Sequence, residues 1–338
     1  MHNYRCLQVG VLAFGLTITA AQVHAWSADG HETVGKLGAA LIAGTNAEAK
    51  VQDILGMSLE QAAVWADCAK GVNYNKQIGT FAYQRAGQYP ECQPFETEQG
   101  KREMVAFVRR NWVDCHPGQG EEVCHKQYHY TDVTLQRDQY TQGLTGTSDH
   151  DVVAAIRAAI LVLQGSTSPA PMQFANKREA LLVLTHYVGD IHQPLHVASV
   201  YLDAQGQVVD PDRVGFNPTT RTIGGNSIQD GRKNLHHEWD TVPAALKSGA
   251  LGISGVDEAR AIPASAGDLI SWPAQWATDT LISAGPAFAG ATYSAEDGQK
   301  HWDIAPPAGY TATRETVQRA QLLKAGARLA QLLNAIWP

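Results

Sequence analysis

Four side chains that can bind a transition metal occur within eleven residues near the middle of the chain. They are His186, Asp190, His192 and His196, in the stretch His-Tyr-Val-Gly-Asp-Ile-His-Gln-Pro-Leu-His. His186 and Asp190 are four residues apart, so they share one face of a helix. Pro194 cannot continue that helix, and His196 is therefore expected just beyond its end, facing a neighbouring ion. The spacing predicts a site for more than one metal ion.

One helix face supplies two donors, whereas zinc needs three or four. Other segments must therefore complete the site. His236 and Asp240 repeat the His-to-Asp spacing of four. Further candidates are His31 near the start of one predicted helix, Asp67 at the end of another, and His129 in a short polar and aromatic segment. These donors are nitrogen and oxygen atoms with no thiolate among them, which favours catalytic over structural zinc.

The first 25 residues predict a secretory signal peptide. Arg5 precedes an apolar run from Val9 to Ala21, and Val23-His24-Ala25 has the small residues typical of a cleavage site. The run is too short to span a bilayer comfortably, which disfavours a retained anchor. Cleavage after Ala25 would expose the α-amino group of Trp26. With its own carbonyl oxygen, that amine could chelate a metal, because its pKa of about 8 lets a metal displace the proton.

Helical periodicity dominates the rest of the chain. The chain has 338 residues, of which 44% are hydrophobic, enough for one large core. Helices are predicted over Gly30 to Ala43, Leu59 to Ala66, Val152 to Gln164 and Thr316 to Leu333. The stretch from Val200 to Ile228 is rich in Gly, Pro, Asp and Asn and predicts a long loop, with room for a small β hairpin. The expected fold is mainly α, with residues 26–338 forming a single helical domain.

Charge and cysteine content constrain the partners and the compartment. The net charge of −7 becomes −8 when Arg5 leaves with the signal peptide. An acidic chain is not a usual nucleic-acid binder, although bound divalent ions could reverse the sign locally. Four cysteines then remain, and proximity favours pairing Cys68 with Cys92 and Cys115 with Cys124. A zinc knuckle is disfavoured because no Cys-x-x-Cys pair occurs.

The candidate donors lie in a series of motifs. These are Trp26-(four residues)-His31, Trp65-Ala66-Asp67, His129-Tyr130-Thr131-Asp132, His186 to His196, Gly224-Gly225-Asn226 and Asn234-Leu235-His236 to Asp240. In this order they resemble the S1/P1 nuclease family of zinc-dependent single-strand nucleases and 3'-nucleotidases. The resemblance covers about two-thirds of the chain, from Trp26 to Thr241. The C-terminal third matches no motif and is expected to be helical packing.

The resemblance implies three zinc ions, with a mainly α fold of the phospholipase C/nuclease tri-zinc type. The first ion would bind Asp67, His129, His186 and Asp190; the second would bind the Trp26 amine and carbonyl, His31 and Asp190; the third would bind His196, His236 and Asp240. The implied activity is cleavage of single-stranded DNA and RNA to 5'-phosphate products, with 3'-mononucleotides also hydrolysed to nucleosides.

The resemblance also implies substrate contacts. Lys70 stands where the family usually has an arginine that stabilises the phosphoryl transition state; the alternative is a solvated surface lysine. Asn226 matches an asparagine beside the phosphate. Tyr130 and Asp132 match a base-binding position, where an aromatic ring stacks on an unpaired base. A purely structural role for Tyr130 is the alternative.

Two other functions share part of this pattern. A zinc-dependent phospholipase C shares the helical architecture, but its first histidine lies further from the Trp and its last pair ends in Glu. A non-catalytic zinc-binding protein would have a closed, cysteine-rich site. The nuclease interpretation predicts a periplasmic or secreted monomer without a membrane anchor after cleavage.

Overall fold

A computed structural model describes residues 26–112, 123–247 and 249–338. The helices of this part are α1 (Ala28–Ile42), α2 (Asn46–Leu55), α3 (Leu59–Ala62), α4 (Trp65–Ala69), α5 (Glu98–Arg110), α6 (Cys124–Gln127), α7 (Val152–Leu163), α8 (Lys177–Asp190), α9 (Pro194–Val197), α10 (Pro211–Val214), α11 (Leu235–Asp240), α12 (Gly252–Arg260), α13 (Trp272–Phe288) and α14 (Tyr310–Ile336). Short 3-10 helices span Pro90–Phe95, Pro218–Thr220, Ala244–Leu246 and Leu269–Ser271. The predicted mainly α fold is confirmed.

Strands are few and short in the described ranges. They are β1 (Val72–Asn75), β2 (Thr80–Tyr83), β3 (Val133–Thr134), β4 (Ala198–Ser199), β5 (Ile228–Asp230), β6 (Lys233–Asn234), β7 (Thr292–Tyr293) and β8 (Trp302–Ala305). β1 and β2 form an antiparallel hairpin, β3 and β4 a parallel pair, and the order β6-β5-β8-β7 makes a small mixed sheet.

Helix α8 is the centre of the structure. Every residue from Glu179 to Asp190 is buried, as expected of a helix that is apolar on most of its surface. The Asn176 side chain caps its start by accepting a hydrogen bond from the Glu179 backbone N–H. Helices α7, α14, α2 and α4 pack against α8, while α1 packs between α14 and α3. Side chains that α8 points towards its neighbours are therefore held rigidly.

The chain turns sharply after α8, as Pro194 predicts. α8 ends at Asp190, and Pro194 begins the separate short helix α9, which carries His196. A break also divides the predicted helix from Leu59 to Ala66 into α3 and α4. Ala63 lies at this break, and its carbonyl oxygen accepts a hydrogen bond from Nδ1 of His186 at 2.6 Å. The carbonyl is thus used for a tertiary contact instead of a helical one.

Two further expectations need correction. The C-terminal third is not purely helical, because β7 and β8 complete the sheet with β5. The stretch from Val200 to Ile228 is not wholly loop, because it contains α10 and a 3-10 helix, while the antiparallel bridge between Leu202 and Val208 forms a small hairpin there, as expected. Strands of two to four residues are too short for alternation to reveal. Among the described residues no helix has the length and apolar character needed to cross a bilayer.

The disulfide prediction is confirmed for one pair. Cys68 in α4 is bonded to Cys92 in the 3-10 helix Pro90–Phe95, which fixes that segment beside α4. Cys124 is buried and disulfide-bonded. The partner predicted for it, Cys115, lies outside the described residues, as do the signal residues 1–25.

Candidate metal centre

Three groups of buried side chains converge at the end of α8. In each group the candidate ligand atoms all lie within 4.8 Å of one another. The groups are His31, His186 and Asp190; Asp67, His129 and His186; and His196, His236 and Asp240. The first two share His186 and therefore form one continuous cluster.

The donors nearest to α8 are close enough to surround a cation. Nε2 of His186 lies 3.2 Å from Oδ2 of Asp190 and 3.5 Å from Oδ1 of Asp67. Nδ1 of His129 lies 2.9 Å from Oδ2 of Asp190 and 3.1 Å from Nε2 of His186. Burial alone would lower the pKa of His186, but the Asp190 and Asp67 carboxylates outweigh it and raise the pKa. The surroundings of this imidazole thus favour a positive charge.

His31 completes this cluster from α1. Its ring stacks on the ring of His186 at a centroid distance of 3.7 Å, and its Nε2 lies 3.4 Å from Oδ1 of Asp190. The His31 ring is fully buried, yet neither ring nitrogen makes a hydrogen bond of normal geometry, and Oδ1 of Asp190 makes none either. Buried polar atoms seldom go unpaired, so the chemistry of these atoms fits the ligands of a cation.

The third group gives the clearest geometric argument. Nδ1 of His196 donates to the His129 carbonyl and Nδ1 of His236 to the Gly224 carbonyl, each at 2.7 Å. A carbonyl only accepts, so in a neutral ring each Nε2 carries a lone pair. Burial lowers the pKa of both rings, that of His236 to about 3, so both are neutral near pH 7. Their Nε2 atoms are 3.1 Å apart. Two facing lone pairs repel unless a cation lies between them, and ligating histidines usually have such carbonyl partners.

Asp240 stands beside this pair, with Oδ2 3.6 Å from Nε2 of His236. Burial raises the pKa of Asp240 well above its ordinary value, although Nε2 of Gln193 donates to its Oδ1 at 2.6 Å and opposes the shift. In Asp190, by contrast, burial would raise the pKa but nearby histidines, led by His186, hold it well below its usual range. Gln193 lies in the central motif, but the sequence analysis gave it no role, because its partner is distant in sequence.

Gly224 makes the approach of His236 to the centre feasible. It has a φ of +54°, and an added Cβ would lie 2.6 Å from the Leu195 carbonyl and 3.3 Å from Nδ1 of His236. A residue with a side chain would thus strain the turn and displace the ring.

Trp26 is anchored at the same centre. Its indole is fully buried and donates from Nε1 to the Gly189 carbonyl at 2.9 Å, one residue before Asp190. The next backbone N–H, of Ser27, donates to the carbonyl of Asp240 at 2.8 Å. The backbone of Trp26 is therefore held between the end of α8 and the end of α11.

Lys70 lies beside the cluster rather than on the surface. Its side chain is nearly buried, and Nζ is 2.8 Å from Oδ1 of Asp67. The alternative of a solvated surface lysine is therefore wrong. Asn226 is partly exposed, and its side-chain amide donates to the Ile223 carbonyl at 2.8 Å.

Tyr130 and Asp132 line a cavity of about 260 Å³ close to the third group. Tyr201, Phe216 and Arg221 also line it. Asp132 is buried, and one of its oxygens lies 3.4 Å from the guanidinium of Arg221. Asp132 and Arg221 are 89 residues apart in the sequence, and no local pattern pairs them.

A second, smaller cavity of about 160 Å³ borders the centre itself. Asp67 and Asp240 contribute to its wall, as do Tyr83, Arg85 and Tyr89. This cavity therefore gives access to two of the candidate donors, and both cavities have aromatic and charged walls.

Two histidines left unassigned by the sequence have distinct positions. Nδ1 of His192 donates to the Val188 carbonyl at 2.7 Å, and Nε2 faces Arg328 at 2.9 Å, so the ring is engaged away from the three groups. His237 is exposed and lines the smaller cavity. His236, which the offset to Asp240 favoured, is the one that lies beside His196.

Comparisons with known proteins point to one family. The sequence profile of the family described as S1/P1 Nuclease matches residues 26–338. Endonuclease 2 of Arabidopsis thaliana is 25% identical over 352 residues, covering 97% of this chain and 96% of the relative. Nuclease S1 of Aspergillus oryzae is 26% identical over 246 residues, covering 70% of this chain and 61% of the relative. The chain belongs to the S1/P1 nuclease family and is a hydrolase of phosphodiester bonds.

Proposed function

We propose that this nuclease binds three zinc ions and cleaves single-stranded DNA and RNA, leaving 5'-phosphate products, and that it also hydrolyses 3'-mononucleotides. The observation that carries the proposal is the pair of facing nitrogen atoms of His196 and His236, 3.1 Å apart in a buried site. The unpaired buried atoms of His31 and Asp190 support a second, adjacent position. All side-chain donors are nitrogen or oxygen atoms, which suits catalytic zinc.

The proposed ligand sets are those that the family resemblance implies, and the three clusters of donors support them. One ion is assigned to Asp67, His129, His186 and Asp190, a second to His31, Asp190 and the amine and carbonyl of Trp26, and a third to His196, His236 and Asp240. Anchoring of Trp26 between α8 and α11 supports its place in the second set. Carbonyl partners of Nδ1 orient the rings of His186, His196 and His236, as the surroundings of metal-ligating histidines usually do.

Bound zinc ions would supply a Lewis acid for phosphate oxygens and lower the pKa of bound water. The protein supplies the positioning. Lys70 is held at the cluster by Asp67 and presents its ammonium to a phosphoryl oxygen, although a lysine lacks the bidentate fork of an arginine. The amide of Asn226 lies in the same turn as Gly224 and binds a second phosphate oxygen.

The 260 Å³ cavity is assigned to one unpaired base. The ring of Tyr130 stacks on the base, and Asp132 accepts hydrogen bonds from its edge. Stacking of this kind is worth about 1–3 kcal/mol per base and tolerates any base, but a base inside a duplex cannot reach it. The cavity thus supports a preference for single strands over duplex.

The proposal includes export of the enzyme. Residues 1–25 are assigned as a signal peptide and residues 26–338 as the catalytic domain, acting as a monomer in the periplasm or outside the cell without a membrane anchor. The disulfide between Cys68 and Cys92 supports an oxidising compartment. The family profile begins at Trp26, where cleavage is predicted.

Product analysis tests the proposal. Protein beginning at Trp26 is incubated with a single-stranded oligonucleotide, a matched duplex and phosphatidylcholine, each with and without a chelator. Chelator-sensitive release of 5'-mononucleotides from the single strand is expected, together with three zinc ions per chain by elemental analysis. His236→Asn should reduce the zinc content to two. Lipid hydrolysis with an intact oligonucleotide would overturn the assignment in favour of a phospholipase, which the family match already disfavours.

A further inference from the structure

We propose that a single-stranded nucleic acid bound at the metal centre continues along a groove between β2 and α5. This "α5 groove" is formed by Phe81, Tyr83, Lys101, Arg102, Arg109 and Arg110. It would bind nucleotides several positions from the scissile bond and so favour long single strands over short ones. The inference rests on the proposed function, since it concerns the same substrate.

The α5 groove is an open channel of about 770 Å³, much larger than either cavity at the centre. Its floor is made by the packing of α5 on β2. One acidic side chain, Glu98, stands among the four cationic ones. The wall is thus positively charged, although the whole chain has a net charge of −7. A locally basic channel on an acidic protein favours binding of an anionic ligand.

Tyr83 connects this groove to the metal centre. Its side chain lines both the α5 groove and the smaller cavity whose wall includes Asp67 and Asp240. Arg85 also lines that smaller cavity, with its guanidinium 5.6 Å from the ring centre of Tyr89. A nucleic-acid strand leaving the centre through this cavity would pass over Tyr83 to enter the α5 groove.

Two of the four cations of the groove are available for phosphate. Lys101 is paired with Glu98, and Arg110 with Glu179. Arg102 is bonded to the neutral amide of Gln99, and Arg109 is exposed with no carboxylate partner among the described residues. They are seven residues apart on α5, two turns on one face, and about 10 Å along the axis. Two guanidinium groups in such a row can bind successive parts of one backbone.

The aromatic side chains of β2 indicate that the ligand of the groove is a single-stranded nucleic acid. Phe81 and Tyr83 are two residues apart, so they face the same side of β2, and both are half-buried in the groove wall. Grooves for single-stranded nucleic acid combine a cationic track for the backbone with rings on which bases stack. An acidic peptide would pair its carboxylates with the arginines but would have no bases to stack on the two rings.

The test compares Arg102→Gln/Arg109→Gln with Arg260→Gln, a control arginine that is 62% exposed on α12. Binding of a labelled 20-mer of single-stranded DNA to chelator-treated protein is measured by fluorescence anisotropy across salt concentrations. We expect the double variant to bind roughly tenfold more weakly at low salt, and its log K against log salt slope to fall by about 1.4, two phosphate contacts' worth. The control should match the parent protein.

Hydrolysis of a 3'-mononucleotide by the zinc-loaded proteins distinguishes an effect on the groove from an effect on the metal centre. The double variant should keep the parent kcat and KM, because this substrate does not reach α5. Unchanged 20-mer affinity and salt slope would overturn the groove proposal. So would equal losses on a 20-mer duplex or an acidic peptide, which would make the surface an unspecific cation patch. A parent protein that hydrolyses no nucleotide would refute the proposed function, while the anisotropy measurement would still decide the groove.

Discussion

The position of Gly189 allows a sharp test of the metal centre. This glycine lies in α8 next to Asp190, and an added Cβ would lie 2.7 Å from Nδ1 and 3.0 Å from Cε1 of His31. Ordinary contact begins near 3.4 Å, so the ring would have to retreat by about 0.7 Å. It is fully buried and stacked on His186, so it cannot move freely. Metal–ligand distances tolerate only about 0.2 Å, so Gly189→Ala should weaken the site that includes His31.

The stability change can be estimated from two opposing terms. Forcing a methyl group into a packed site typically costs about 1–3 kcal/mol. Replacing a helical glycine by alanine gains roughly 0.5–1 kcal/mol. We therefore expect Gly189→Ala to lower the free energy of unfolding of the metal-free protein by about 1–2 kcal/mol, to remove one zinc ion per chain and to reduce kcat at least tenfold.

The matched control removes the ring that the methyl group would strike. In a His31→Ala background, Gly189→Ala should raise the free energy of unfolding by the helical gain alone, so the two changes are coupled. Denaturant unfolding of the four chelator-treated proteins gives the coupling, and elemental analysis gives the zinc content. If Gly189→Ala kept full zinc content and kcat, and its effect were the same in both backgrounds, the close packing of His31 against α8 would be refuted.

Four further predictions concern the same centre. Burial, together with His186, lowers the pKa of His31 to about 4; because this value lies below 6.5, protonation favours the unfolded chain. Between pH 7 and pH 4 the free energy of unfolding of the metal-free parent protein should fall by roughly 3 kcal/mol more than that of the metal-free His31→Asn variant. Equal decreases for the two proteins in denaturant unfolding would contradict this. Lys70→Met should lower kcat about a hundredfold, as the loss of one transition-state donor does, whereas Lys70→Arg should keep most of the parent kcat. Both values are measured by steady-state kinetics on a 3'-mononucleotide, and a fully active methionine variant would refute the role of Lys70. One extra residue before Trp26 should remove one zinc ion and most activity, and an extended protein with three zinc ions would exclude the amine as a ligand. Because Arg221 lies beside Asp132, Arg221→Gln should change kcat/KM by different factors for the four 3'-mononucleotides. If kcat/KM changed by the same factor for all four, Asp132 would not take part in base recognition.

Local geometry explains what could be predicted from the sequence. His186 and Asp190 face one side because they are one helical turn apart, and Pro194 sets where the next donor, His196, can begin. The order of the motifs identified the family and its activity, both of which the comparisons confirm. The positions of the donors needed only spacing, helix geometry and residue type, whereas the family and its activity rested on the resemblance of the motifs.

Contacts between distant segments explain what was missed. Gln193 bonds Asp240 across 47 residues, and Arg221 reaches Asp132 across 89. Neither pairing follows from any local pattern. The sheet was missed for the same reason, since β8 finds its partner β5 far back in the chain. The burial of Lys70 likewise depends on the packing around α4 and not on its neighbours in sequence.

The metal centre draws its side chains from widely separated parts of the chain, with His31 in α1 and Asp240 in α11. A partly synthesised chain therefore lacks part of the cluster until Asp240 has been added. With the Trp26 amine as the proposed ligand, the second set of ligands would stay incomplete until the chain is cut before Trp26. Completion of the metal centre thus comes late in the formation of the enzyme.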